Sequence, residues 1–95
     1  MNETIYVIEN MVSRRVYVGR TKYDARMRFD AHYINQKSQL GRDMRTLGKT
    51  NFRMRVLAEV PVRDAGGMER LFTHLLESNV PEFGYNNPSI YRWPD

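Results

Sequence analysis

The sequence has no cysteine, a single tryptophan and only four prolines, and no apolar run approaches the roughly 20 residues that a bilayer span requires. Without cysteine there is no disulfide scaffold and no thiolate metal site. Stability must come from packing, and any metal must be held by oxygen or imidazole ligands. Met1-Asn2-Glu3 lacks the basic and apolar regions of a secretory signal, so an unprocessed, soluble protein of bacterial or phage-type cytoplasm is expected, without a membrane partner. Generic reaction motifs are also missing: no phosphate-cradling glycine loop, no His pair at helical zinc spacing and no Ser nucleophile elbow. At 95 residues with 41% hydrophobic content, the chain is long enough for one domain and too short for two, so one core is expected to hold the structure and carry the site.

Charge is present but unevenly spread. The formal net charge is +4. Residues 1–55 hold 12 Lys/Arg against 5 Asp/Glu, a surplus of seven, whereas residues 56–95 hold 3 against 6, a deficit of three. A basic first half suits a polyanionic partner, because clustered Arg and Lys release counterions from phosphates. A merely solvated surface accounts for the charge as well, so the charge alone does not choose.

Thr4 to Glu9 and Arg15 to Gly19 are rich in β-branched and aromatic residues and flank a short polar connection, which predicts a β-hairpin. If Ile5, Val7, Val16 and Val18 share the core face, alternation puts Tyr6 and Tyr17 together on the other. Asp24 to Ile34 predicts a helix on which Ala25, Phe29 and Tyr33 form an apolar row, with Arg28 and His32, four apart, at its margin. Leu40, Met44 and Leu47 mark a second helix that stops at Gly48. Phe52, Met54 and Val56 alternate with Arg53 and Arg55 in a third strand with one face on the core and one in water, ended by Pro61. Met68, Leu71, Phe72, Leu75 and Leu76 predict a third helix from about Asp64, its N-cap, to Ser78, with Glu69 at the edge of the stripe. Gly66-Gly67 in its first turn suggests close backbone approach. Asn79 to Asp95, with three of the four prolines, reads as irregular. The expected class is α/β of the α+β kind: a small three-stranded antiparallel sheet flanked by about three helices.

Few groups in this layout carry chemistry. Tyr6 and Tyr17 on the hairpin, Arg28 and His32 on the first helix and Glu69 on the third supply phenols, a guanidinium, an imidazole and a carboxylate, the set that metal-assisted attack on a phosphodiester needs. Each has a plain reading as well. Sheet tyrosines pack, marginal Arg and His residues are solvated or packed, and a Glu beside an apolar stripe is exposed. The motifs favour the chemical reading. Thr4-Ile5-Tyr6 and Tyr17-Val18-Gly19, with ten residues between the tyrosines, resemble the paired motifs of the GIY-YIG nucleases. The resemblance continues through Arg28-Phe29-Asp30-Ala31-His32, Leu47-Gly48-Lys49-Thr50-Asn51-Phe52, Glu69 and Gly84-Tyr85-Asn86, in the family's order. Thr4 stands where the family usually has glycine, and Val18 replaces isoleucine. The stretch from Tyr17 to Arg28 is one residue longer than in relatives, so Arg26 competes with Arg28; His32, four residues on, favours Arg28.

The resemblance implies a single nuclease domain over 1–95, with a core of about 4–87 and an irregular tail at 88–95, that hydrolyses DNA phosphodiester bonds with a divalent cation. Glu69 would hold one Mg²⁺ (or Mn²⁺), which stabilises the leaving oxygen. Tyr6 would take a proton from the attacking water, aided by a depressed pKa in a cationic site. Arg28 would neutralise the scissile phosphate. Tyr17 and His32 would hydrogen-bond the nucleophile or the phosphate, roles the sequence does not divide. Asn86 is expected to close the tail with a side-chain bond to backbone near the site, and Gly19 to permit close approach or a tight bend. Arg20, Lys22, Arg42, Arg45, Lys49, Arg53 and Arg55 are candidate DNA contacts; phosphate contacts carry no sequence information. His74 is expected to be ordinary surface. A chain of this length leaves no room for a targeting domain, so targeting would come in trans, and a monomer is expected rather than a dimer. The alternative is a catalytically inactive nucleic-acid-binding module with the same fold.

Overall fold

The structure is a computed structural model that describes residues 1–87; the tail expected over 88–95 lies outside the described residues. The order is β1 (Asn2–Asn10), β2 (Val16–Thr21), α1 (Ala25–Ile34), α2 (Gln39–Leu47), a 3₁₀ turn (Lys49–Asn51), β3 (Phe52–Pro61) and α3 (Val62–Leu75). The strands form one antiparallel sheet in the order β2-β1-β3. This is the expected three-stranded sheet with three helices.

The expected single core is replaced by two. Ile5, Tyr6, Val7 and Ile8 are all buried, because β1 is the central strand and both of its faces are covered. On one face Tyr6 and Ile8 pack with Leu40, Met44 and Phe52, joined by Phe29 and Tyr33 from α1. On the other, Ile5, Val7 and Val18 pack with Ala65 of α3, joined by Met68 and Phe72. The four-residue apolar run of β1 already carries this signal, since a strand buried on both faces has no reason to alternate.

The expectation that β3 turns one face to the core and one to water holds from Phe52 to Arg55, where Arg53 and Arg55 are exposed, and fails at Val56, where a bulge intervenes. Ile5 lies opposite Ala58 and Tyr6 opposite Val56, which leaves Leu57 as an extra residue. Phe52 and Met54 before the bulge join the first core, and Leu57, Ala58 and Val60 join the second. Val56, at the switch, is 57% exposed.

Local chemistry sets the helix bounds. Asp24 caps α1 by accepting from the Arg26 amide at 2.7 Å, and Ser38 caps α2 by accepting from Gly41 at 3.0 Å. Gly48 ends α2 with φ 95°, where a side chain would be strained. A Cβ on Gly41 would stand 2.0 Å from the Asn35 carbonyl oxygen and 2.6 Å from that of His32. Only glycine lets α2 pack against the end of α1 that carries His32.

The third helix departs most from expectation. It begins at Val62, with Pro61 at the cap position and Asp64 inside the first turn, where a carboxylate favours the helix dipole. Its buried row is Ala65, Glu69 and Thr73, spaced by four. Leu75 and Leu76, expected in the core, are 61% and 40% exposed because the helix ends there. Glu69 therefore lies in the middle of the buried row, not at its edge.

Residues 83–86, expected to be irregular, dock on the outer edge of β2. The Val16 amide donates to the Phe83 carbonyl at 3.0 Å, and the Tyr85 amide donates to Val16 at 2.9 Å. A parallel bridge joins Val16 to Gly84. Asn86 completes the edge: its Oδ1 accepts from the Val18 amide at 2.9 Å and its Nδ2 donates to the Val18 carbonyl at 2.8 Å.

Candidate active site

The hairpin register creates the centre of the site. Tyr6 stands directly opposite Gly19 and Ile8 opposite Tyr17, so the two phenols are diagonal neighbours on the face covered by α1, with ring centroids 6.3 Å apart. The Tyr6 ring lies across Gly19. A Cβ there would be 2.5 Å from both Cζ and the hydroxyl oxygen of Tyr6 and 2.9 Å from Cε2 of Tyr17. Of the two explanations open for Gly19, close approach is the one that applies.

His32 reaches down from α1 between the phenols. Its Nε2 is 2.8 Å from the Tyr6 hydroxyl, and its ring meets Tyr17 edge-on at 4.8 Å. His32 is 8% exposed and Tyr6 is fully buried. Burial, reinforced by the charge of Arg28, lowers the His32 pKa to about 4, so the imidazole is neutral at neutral pH. A neutral ring carries one proton, and in the tautomer with that proton on Nδ1 the Tyr6 hydroxyl donates to Nε2.

The depressed pKa expected for Tyr6 is not found; burial raises it. The Arg28 guanidinium works the other way, through a hydrogen bond and its charge, and the Glu69 carboxylate adds to the rise. Desolvation of a fully buried phenolate outweighs the one cation beside it. Arg28 thus acts on both Tyr6 and His32. Arg26, its competitor in the sequence, is exposed and lines a groove between α1 and β3 with Ala25, Phe29, Lys49, Arg53 and Val56.

Glu69 comes to the site from α3. It is 7% exposed, and its Oε1 lies 3.6 Å from Nε of Arg20, the residue after Gly19. Tyr6 links the candidate residues near the Gly19–Arg20 end of β2: His32 by its hydrogen bond and Tyr17 by ring contact, while the charges of Arg28 and Glu69 reach it. Among the described residues no group of three His, Asp or Glu could cage a metal ion. One hard carboxylate fits a cation that keeps most of its waters and takes further oxygens from a phosphate, and does not fit an all-protein cage.

The cations divide by position. Arg20, Lys22 and Arg28 line a cavity of about 220 Å³ with Glu3, Thr21 and Tyr23; no sequence motif marks Thr21, at the end of β2, or Tyr23, in the turn that follows. Arg45 donates to the Tyr33 carbonyl at 3.0 Å, Arg42 to the Lys37 carbonyl at 3.0 Å, and Lys49 pairs with Asp30. Arg53 borders the groove between α1 and β3, whereas Arg55 stands opposite Val7, on the α3 face of the sheet and away from the phenols. Asn86 is held behind this centre by its paired bonds to Val18, the residue between Tyr17 and Gly19.

Comparison with known proteins gives a family and similar solved structures. The family model described as GIY-YIG catalytic domain matches residues 2–86. The structure of the catalytic domain of homing endonuclease I-TevI superposes with a TM-score of 0.72 at 28% identity, covering 90% of this chain and 97% of that one. A point mutant of the catalytic domain of intron endonuclease I-TevI gives 0.71 at 26% identity, covering 90% and 93%. No curated protein matches the chain.

Proposed function

This chain belongs to the GIY-YIG family and is a phosphodiester-cleaving endonuclease, and from that premise we propose that it hydrolyses DNA by an attack organised around Tyr6, Tyr17, Arg28, His32 and Glu69. The observation that carries the proposal is the convergence of two phenols, a neutral imidazole, a guanidinium and a buried carboxylate at one end of β2. On the same reading residues 1–95 form a single nuclease domain with a core of about 4–87. It acts as a monomer, with targeting supplied in trans.

Tyr6 and His32 work as a pair. A protonated, buried phenol is not by itself a base, but its hydroxyl can pass its proton to Nε2 of His32 while its oxygen accepts one from the attacking water. Arg28, which hydrogen-bonds Tyr6, turns to the incoming phosphate, balances its growing charge and uncovers the Tyr6 oxygen. The water oxygen then bonds to phosphorus as the opposite P–O ester bond breaks. Tyr17, half-buried and against His32, hydrogen-bonds the phosphate or the nucleophile. GIY-YIG nucleases depend on divalent metals; Glu69 is the residue to hold one, Mg²⁺ or Mn²⁺, and the ion's chemistry is to stabilise the leaving oxygen.

A catalytically silent DNA-binding module is the competing reading, favoured by one observation: Tyr6 is fully buried and its pKa is raised. A plasmid-nicking assay with Mg²⁺ separates the two. The wild-type chain is expected to convert supercoiled to open circular DNA, and Glu69→Gln and Arg28→Ala to lose this activity by at least about 100-fold, the scale of one removed electrostatic contact in a transition state. Wild-type nicking by either variant refutes the assignment, and no nicking by the wild type favours the silent module.

A further inference from the structure

Arg20 occupies a position between two sites of opposite charge. On one side its Nε is 3.6 Å from Oε1 of Glu69, with the Arg20 side chain 43% exposed and that of Glu69 only 10%. On the other it lines the basic cavity of about 220 Å³ that Lys22 and Arg28 also line. Its path to Glu69 runs across α3 at Gly66, where an added Cβ would stand 3.3 Å from Nη1 of Arg20. That contact gives Gly66 a physical use inside a helix, where glycine otherwise costs roughly 1 kcal/mol relative to alanine. Gly67, beside it, meets nothing within 4 Å.

We propose that Arg20 is a placeholder cation, which neutralises the Glu69 carboxylate until a divalent cation arrives and then swings into the neighbouring cavity to bind a DNA phosphate. The proposal rests on the nuclease reading and on Glu69 as the cation's ligand. A carboxylate this buried needs a compensating positive charge, and Arg20 provides one. A guanidinium and a divalent ion cannot both contact the same carboxylate oxygen without strong repulsion. Repulsion from the ion therefore weakens the hold of Arg20 on Glu69, and its long side chain has a second anionic partner one swing away whenever DNA is present. A phosphate that attracts Arg20 frees Glu69, and an ion at Glu69 frees Arg20 for the phosphate. The two ligands thus favour one another through this side chain, and the coupling is reciprocal.

The test measures Mn²⁺ binding by electron paramagnetic resonance, with and without a phosphorothioate duplex that resists cleavage. Wild-type protein is expected to bind Mn²⁺ at least tenfold more tightly with DNA present. R20Q is expected to bind Mn²⁺ about tenfold more tightly than wild type without DNA, and its gain on adding DNA to shrink by about the same factor. R20K keeps the charge and is expected to behave nearly as wild type. G66A, which crowds the guanidinium off its path, is expected to shift DNA-free Mn²⁺ affinity in the same direction as R20Q. Equal or weaker Mn²⁺ binding by R20Q without DNA overturns the proposal. Nicking by the wild type, with Mn²⁺ binding lost in E69Q but unchanged in R20Q, sinks this inference alone. Wild-type protein that neither nicks DNA nor binds Mn²⁺ sinks the nuclease reading together with it.

Discussion

Replacing Gly19 by alanine puts the geometry of the site under direct strain. The position lies in β2 and is not among the residues with positive φ, so alanine suits the backbone, and by restricting the unfolded chain it contributes about 0.4–1 kcal/mol in favour of folding. Against that, the new methyl meets Tyr6 at 2.5 Å and Tyr17 at 2.9 Å. The Tyr6 ring has nowhere to retreat: it is fully buried, and its hydroxyl is held 2.8 Å from His32. Overpacking of this kind costs about 1–3 kcal/mol, and a broken Tyr6–His32 hydrogen bond adds about 0.5–1.5 kcal/mol. The clash wins, for a net loss of about 2 kcal/mol. At about 4–8 °C per kcal/mol for a domain of this size, Tm falls by roughly 8–16 °C. Urea and thermal unfolding measure the loss, and the nicking assay should show activity falling further than stability. A Tyr6→Leu background removes the para end of the ring, so the cost of G19A there should drop by at least half. A G19A protein with wild-type Tm, or an equal cost in both backgrounds, refutes the packing described around Gly19.

Further outcomes can be checked independently. Asn86→Ala leaves the Val18 amide and carbonyl, now bonded at 2.9 and 2.8 Å, without their partner and should cost about 2–4 kcal/mol in urea unfolding. His32 is nearly buried and has its pKa lowered to about 4 from 6.5, so below pH 6.5 the unfolded chain binds the proton that the folded one refuses. Its contribution to stability is whole above pH 6.5 and is lost as pH falls from 6.5 towards 4, by roughly 3 kcal/mol. The difference between wild type and His32→Gln isolates the histidine, and parallel curves for the two proteins would contradict it. For DNA, Lys22→Ala, in the cavity beside Arg28, should lower the salt slope of binding by about 0.9. Arg55→Ala, on the opposite face of the sheet, should leave that slope unchanged in the same fluorescence-anisotropy titration.

The architecture was legible in the sequence to the extent that it follows from local rules. The hairpin, the first helix and the glycine stop at position 48 each depend on a few neighbouring residues. What depended on tertiary context was not legible. The apolar run of β1 reads as an alternating strand over one core although both its faces are covered, and the bulge at Leu57 that lets β3 feed both cores leaves no mark in composition. In α3 the eye follows leucines, yet the helix ends before Leu76, and a polar row of Glu69 and Thr73 with Ala65 is what packs. The site residues could be picked out by motif order, but not their electrostatics. A phenol near an arginine suggested easy ionisation; full burial reversed the sign for Tyr6. Nor could spacing show that Arg20 reaches across Gly66 to Glu69, since that pairing joins an edge strand to a helix 49 positions away.

Asn86 clasps the strand that bears Tyr17 and Gly19, and it is made after every other group at the centre. While the chain is being synthesised, that strand has no outer partner until residues 83–86 have left the ribosome and docked. The last turn of assembly therefore finishes the frame: a nascent chain stalled short of this point carries all five candidate site residues but lacks the stay that braces the strand under Tyr17.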